Sequence, residues 1–74
     1  MYTVYSAEWC GYCQKAKQLL KETDNVFMVK DIEENPGFKD NLKVRGLKTI
    51  PQIWAPDGTH VGGYDDLVEH LNGN

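Results

Sequence analysis

The stretch "AEWCGYCQKAK", Ala7 to Lys17, holds the only two cysteines of the chain, Cys10 and Cys13, with Gly11 and Tyr12 between them. Thiols at this spacing have three chemical uses: a structural disulfide, half of a metal site, or a reversible redox couple. A disulfide closing so short a loop removes little entropy from the unfolded chain and is a poor staple. A zinc site needs two more ligands, and the two histidines, His60 and His70, do not stand at short ligand spacing from each other. Metal or iron–sulfur binding shared between two chains through Cys10 stays open as an alternative. Redox use has the clearest physical basis. "CQKAKQLLKE" is made of good helix formers, which places Cys10 at the N-cap of a helix. There, unpaired backbone N–H groups and the positive end of the helix dipole stabilise a thiolate. Cys13 lies one turn further on, facing inward, where it can attack a mixed disulfide formed at Cys10. Cys10 is thus the expected nucleophile and Cys13 the expected resolving thiol.

Working outward, the flanking residues specify a βαβ unit. Tyr2 to Tyr5 is a short β-rich run suited to a buried strand. Cys13, Ala16, Lys17, Leu19 and Leu20 recur at helical spacing, which predicts a helix over 11–23. "NVFMVKDI" is an apolar run and predicts a strand buried on both faces. "NPGFKDNLKVRG" opens with an N-cap residue, Asn35, and a first-turn proline, Pro36, and closes on Gly46 as a C-cap. Phe38 and Leu42 are its expected core-facing residues. "QIWAPDGTHVGG" reads as two short strands around a Pro56-Asp57-Gly58 turn. "YDDLVEHLN" places Asp65 and Asp66 in a first helical turn, where the dipole favours anions, with Leu67, Val68 and Leu71 inward. The predicted order is β-α-β-α-β-β-α: one α/β domain over 1–74, a four-stranded mixed sheet covered by three helices. A C-x-x-C that follows the first strand and opens the helix of such a unit is the arrangement of a thioredoxin-like redox site.

Composition bounds the rest. At 74 residues, 41% hydrophobic and 26% charged, the chain has room for one small domain. Such a domain buries only about 60% of its unfolded surface. No stretch approaches the roughly 20 apolar residues a membrane helix needs, and "MYTVYS" has no signal-peptide character. Neither a membrane nor a nucleic acid is an expected partner, because the net charge is −3 and nucleic-acid binders carry basic patches. A cytoplasmic monomer is expected, in a compartment that keeps a close cysteine pair reduced.

"CGYCQKAKQLL", "KTIPQIW" and "GGYDDL", in this order and at these separations, resemble the glutaredoxin family over about positions 2 to 71. The resemblance implies a thioredoxin fold with sheet order 2-1-3-4, the last two strands antiparallel to the first two. It also implies a cis peptide bond before Pro51, facing the cysteine pair. The implied activity is thiol–disulfide exchange, with glutathione as co-substrate and no tightly bound cofactor or metal. Its substrates would be protein disulfides and glutathione mixed disulfides. For glutathione, the resemblance implies that the backbone of Ile50, next to Pro51 and with Thr49 beside it, meets the cysteinyl part. Lys48 would stand near the glycine carboxylate. Gly63, Tyr64 and Asp65, at the start of the last helix, would hold the glutamyl end, and free N–H groups there suit a carboxylate independently. Tyr12 would stack on glutathione or on a partner.

Three departures from the family pattern stand out. Ala7 replaces a lysine that many glutaredoxins carry three residues before the first cysteine, and Glu8 beside it opposes a thiolate. Gly-Tyr sits between the cysteines instead of Pro-Tyr. Trp9 before Cys10 makes "AEWCG" similar to a thioredoxin site, although Tyr2 to Ser6 lacks the buried aspartate thioredoxins carry there. The short chain, the "APDGTHVGG" hairpin and the mixed motif look most like the small glutaredoxins of large phages, which serve ribonucleotide reductase. The rival expectation is a thioredoxin-like carrier reduced by a flavoprotein such as thioredoxin reductase. Trp54 is expected in the core. Trp9 is expected either to dock a partner or to pack beside the site. Lys15, Lys17 and Asp66 are explained equally by helix-surface charge.

Overall fold

β1 (Tyr2–Ser6) is the strand from which the sheet of this computed structural model grows; the structure describes residues 1–73. After it come α1 (Gly11–Glu22), β2 (Phe27–Asp31), α2 (Pro36–Val44), β3 (Gln52–Trp54), β4 (His60–Gly62) and α3 (Tyr64–Leu71). This is the order read from the sequence. β1 pairs in parallel with β2, from Tyr2 opposite Phe27 to Ser6 opposite Asp31. On its other side it pairs antiparallel with β3, Val4 opposite Ile53, and β3 pairs antiparallel with β4. The sheet order is β2-β1-β3-β4, as expected. One expectation about direction fails: only β3 runs against β1. A short hairpin reverses the chain, so β4 runs the same way as β1.

Side chains alternate across a strand, and β1 therefore feeds two layers. Val4 joins Tyr2, Ala16, Leu20, Ile53, Ala55 and Leu67 in the main core, which places α1 and α3 together on one face. Tyr5 turns the other way, with its ring edge-on to Phe38 of α2 at 6.1 Å and to Trp54 at 5.2 Å. α2 therefore covers the second face. Leu42 is buried there, whereas Phe38 is only half-buried. Trp54 is half-buried as well, stacked on His60 at 4.5 Å with Arg45 5.3 Å above its ring.

β2 departs from the expectation of burial on both faces. It is an outer strand, and its adjacent residues Met28 (44% exposed) and Val29 (43%) point to opposite faces, so neither face is fully covered. An apolar run alone does not say whether neighbours flank it on one side or two. None of the helices among the described residues is long and apolar enough to cross a membrane.

Helix ends follow local chemistry. Asn35 Oδ1 accepts from Gly37 N–H at 3.0 Å, starting α2 at Pro36. Its far end closes with Gly46 at φ +75, where Gly46 N–H donates to Lys43 and Leu47 N–H to Leu42, both at 2.9 Å. That left-handed residue, cheap only for glycine, turns the chain back toward β3. α1 ends by the same device, but with Asp24 at φ 58 in the left-handed position and Asn25 N–H donating to Leu20 O at 2.9 Å. An aspartate there carries a steric cost that glycine avoids. Asp24→Gly should therefore raise the unfolding free energy by about 0.5 kcal/mol. In a domain of this size that is a melting-temperature increase of roughly 2–4 °C, measured by thermal unfolding.

Candidate active site

The end of β1, the start of α1 and the approach to β3 converge on the cysteine pair. Ala7 is fully buried, and its carbonyl accepts from Cys10 N–H at 3.2 Å and from the Gln14 side-chain amide at 3.5 Å. The same Gln14 amide reaches Glu8 O at 3.2 Å, tying the loop to the first turns of α1. Cys10 takes the N-cap of α1, as expected, and its Sγ accepts from Cys13 N–H at 3.2 Å. Both cysteines are free thiols. A helix N-terminus has unpaired N–H groups and a positive dipole end. The Cys10 sulfur receives one of those N–H groups directly.

The two thiols are unequal. Cys10 keeps 8% of its surface exposed, while Cys13 is completely enclosed with Ala7, flanked by Ile32 and Ile50. Burial pushes the Cys13 thiol from its ordinary 9.0 up to about 11, and the neighbouring Cys10 side chain adds to the rise. The Ala7 backbone and the Ser6 hydroxyl act in the opposite direction, by hydrogen-bonding the Cys13 sulfur as it ionises. Ser6 was not singled out by the sequence reading. It ends β1, is 1% exposed, and its Oγ is a buried side-chain atom without a hydrogen-bond partner within the described protein. A small polar residue at the last inward position of the strand before the motif is the signal that marks it.

On the β3 side, the Ile50–Pro51 peptide bond is cis, as the resemblance implied, and Cys10 Sγ–H donates to Ile50 O at 3.7 Å. Thr49 and Lys48 continue outward from Ile50 and are exposed; Thr49 Oγ1 accepts from the Gln52 amide at 3.2 Å. Gln52 Oε1 in turn lies 2.8 Å from His60 Nε2, and His70 Nε2 lies 3.1 Å from the Tyr2 hydroxyl. Both imidazoles are thus engaged in the fold. Among the described residues, no group of three His, Cys, Asp or Glu side chains is arranged to hold a metal ion.

The start of α3 completes the surroundings. Gly62 at φ +117 lies so close to the Asp66 carboxylate that a Cβ would collide with it, so glycine is required there. Asp66 Oδ2 accepts from Gly63 N–H at 3.1 Å, so this carboxylate is used in starting the helix, while Asp65 stays exposed. A Cβ on Gly63 would lie 3.7 Å from Pro51 O, which shows how closely α3 abuts the loop before β3. Tyr64 meets Tyr12 of α1 with ring centroids 5.9 Å apart, and Lys15 Nζ stands 5.1 Å from the Tyr12 ring. Trp9, beside Cys10, is 68% exposed, which decides between its two expected roles in favour of surface exposure. The three sequence segments, distant along the chain, therefore adjoin one another: Ile50 at the Cys10 sulfur, Gly63 at Pro51 and Tyr64 at Tyr12.

Comparison with known proteins places this geometry. The sequence model described as Glutaredoxin matches residues 2–61. A glutaredoxin of Pseudomonas aeruginosa is 42% identical over 65 residues, covering 86% of this chain and 76% of that protein. The glutaredoxin of Enterobacteria phage T4 is 36% identical over 73 residues, covering 84% of both chains. Among solved structures, a buckwheat glutaredoxin–glutathione complex superposes with a TM-score of 0.82 at 26% identity, over 97% of this chain and 69% of that one. The glutaredoxin-like NrdH-redoxin from Escherichia coli, at 21% identity, shares the fold, with a TM-score of 0.82 over 95% of this chain and 92% of that one.

Two measurements follow from the unequal thiols. The folded pKa of Cys13 lies above its ordinary value, so the stability it contributes is intact below about pH 9 and lost as pH rises toward about 11. Alkaline unfolding of the reduced protein should show this loss, and Cys13→Ala should flatten that part of the curve. Removing the hydroxyl in Ser6→Ala should leave the fold intact and move ionisation of Cys13 to still higher pH. The pH at which Cys13 becomes alkylated, followed by mass spectrometry in a Cys10→Ser background, should rise accordingly, and Ser6→Thr should restore it.

Proposed function

This chain belongs to the glutaredoxin family and is a thiol–disulfide oxidoreductase; from that premise we propose that it is a glutathione-dependent dithiol glutaredoxin using Cys10 and Cys13. The observation that carries the proposal is the Cys10 sulfur at the α1 N-cap, 3.2 Å from Cys13 N–H and 3.7 Å from Ile50 O. Cys10 is the more exposed of the two thiols, and Cys13, whose N–H it accepts, lies one turn behind it.

The Cys10 thiolate attacks one sulfur of a substrate disulfide. A Cys10–substrate bond forms, the substrate S–S bond breaks, and the leaving sulfur departs as a thiolate that takes up a proton. Cys13 then gives up its proton, and its sulfur attacks Cys10 Sγ. The Cys10–Cys13 bond forms and the second substrate sulfur leaves, so two electrons have passed from the protein dithiol to the substrate. Two glutathiones restore the dithiol. The first forms a mixed disulfide at Cys10 and frees Cys13; the second attacks the glutathione sulfur and leaves as oxidised glutathione.

In this reading glutathione lies across the meeting point of the three segments. Its cysteinyl backbone follows Ile50 and Pro51, with Thr49 alongside and Lys48 at the glycine carboxylate. Its glutamyl carboxylate takes the N–H groups at Gly63 and Tyr64, and Asp65 takes its amine. Tyr12, held against Tyr64, forms one wall. The buckwheat relative, solved with glutathione bound, supports this ligand. Residues 1–74 act as one monomeric domain in the cytoplasm, reducing protein disulfides such as that of ribonucleotide reductase. A second reading, a carrier reduced by a thioredoxin reductase, is favoured by exposed Trp9 and by Ala7 where the family carries lysine.

The test is turnover of a small glutathione mixed disulfide with glutathione, glutathione reductase and NADPH. Wild type should turn over. Cys13→Ser should keep this reaction, because a second glutathione replaces Cys13, and should lose direct reduction of a protein disulfide at least about a hundredfold. Failure of the folded wild type to turn over, together with reduction by thioredoxin reductase, would move the assignment to the second reading.

A further inference from the structure

Gln52 follows Pro51 at the start of β3 and is only 6% exposed. Burying an amide is costly unless its donor and acceptor ends both find partners. Here each end has one. Gln52 Nε2 donates to Thr49 Oγ1 at 3.2 Å, and Gln52 Oε1 lies 2.8 Å from His60 Nε2. His60 comes from β4, opposite Trp54, and its ring stacks on the indole at 4.5 Å with the planes 29° apart. Tyr5 meets the same indole edge-on at 5.2 Å, and Arg45 stands 5.3 Å from its ring. The imidazole plane, and so the direction of Nε2, is held by a ring that β1 and the end of α2 hold in turn.

An amide presents a donor at one end and an acceptor at the other, so His60 decides what Thr49 receives. When His60 Nε2–H donates to Oε1, the Gln52 NH2 faces Thr49. Thr49 Oγ1 then accepts from the inner side, and its own O–H proton is left for a group outside. The reversed amide would set its NH2 on His60 Nε2 and its oxygen on Thr49, drawing that proton inward. Thr49 is exposed and adjoins Ile50, whose carbonyl lies 3.7 Å from Cys10 Sγ. The two arrangements therefore differ by one hydrogen-bond donor close to the reacting sulfur.

We propose that His60 is a positioning residue for the exchange reaction: through Gln52 it turns the Thr49 hydroxyl outward, as a donor to a carbonyl or carboxylate oxygen of the bound disulfide. This rests on the reading of Cys10 as the nucleophile toward glutathione mixed disulfides. His60 acts only through Gln52 and Thr49, and its contribution falls on binding rather than on sulfur chemistry.

His60 is exposed, so replacing it opens no cavity in the core. Two variants separate the relay from simple packing. His60→Phe keeps a ring against Trp54 and removes the donor. His60→Gln removes the ring and keeps an N–H the same number of bonds from the backbone. Each is assayed with a glutathione mixed disulfide, glutathione, glutathione reductase and NADPH. His60→Phe should raise KM for the mixed disulfide roughly three- to tenfold, as loss of one hydrogen bond does, with kcat within about twofold. His60→Gln should bring KM back to within about twofold of wild type. Thr49→Val should match His60→Phe, and the double variant should be no worse than either, because both remove the same donor. Cystamine is a disulfide without a carbonyl or carboxylate oxygen, and its reduction by the reduced chain should not distinguish His60→Phe from wild type.

An unchanged KM in His60→Phe, additive losses in the double variant, or an equal loss with cystamine would overturn the proposal. So would a defect in His60→Gln that His60→Phe lacks, because the ring stack and not the donor would then matter. Each of these leaves wild-type turnover, and the oxidoreductase reading, standing. Absence of wild-type turnover in folded protein removes that reading and the relay with it.

Discussion

The hydrogen bond from Cys13 N–H to Cys10 Sγ organises this molecule. It exists because β1 delivers the chain to the N-terminus of α1 within a few residues, and because Ala7 O holds Cys10 N–H at 3.2 Å. β1 is central in the sheet, so the point where it ends is braced by β2 on one side and β3 on the other. The Cys10 sulfur therefore stands between a strand paired on both sides and the helix it caps. A displaced β1 would lose both the helix N-cap and the neighbouring Ile50 carbonyl.

From that position the two thiols acquire different surroundings. Cys10 keeps a small part of its surface exposed, whereas Cys13 is fully enclosed in the small cluster with Ala7. Enclosure favours the neutral thiol at Cys13, and polar groups at its edge, the Ala7 backbone and the Ser6 hydroxyl, moderate the effect. A buried hydroxyl without a partner ordinarily costs stability. The Ser6 hydroxyl offsets part of that cost by favouring the charged form of the Cys13 sulfur.

The missing family lysine also has a structural consequence. Position 7 is fully buried, so Ala7 adds packing beneath the cysteines and no charge at the surface. Positive charge stands instead at Lys39 and Lys43 of α2 and at Lys48, which line one depression with Ile50. Charge at that distance acts through the field around the approaching substrate more than through a contact with the Cys10 sulfur.

Much of this was legible in the chain. Helix starts and stops are short-range chemistry: Asn35 and Pro36 opening α2, Gly46 closing it, Cys10 capping α1. The order of elements and the sheet topology followed from these signals, from the apolar runs and from the family resemblance. What the sequence could not express was how many neighbours each element has. β2 read as enclosed, but an outer place in the sheet leaves Met28 and Val29 part-exposed. The direction of β4 depends on the hairpin rather than on its own residues. The sequence reading singled out neither Ser6 nor Lys39 and Lys43. Their meaning appears only when strand order brings Ser6 against Cys13 and the return after Gly46 folds Lys48 toward α2. The sequence by itself determined the cysteine couple, the helix it caps and the order of the fold, because those rest on contacts within a few residues. Tertiary structure decided which thiol is shielded, what moderates it and where charge gathers, because burial and electrostatic potential are sums over groups far apart in the chain.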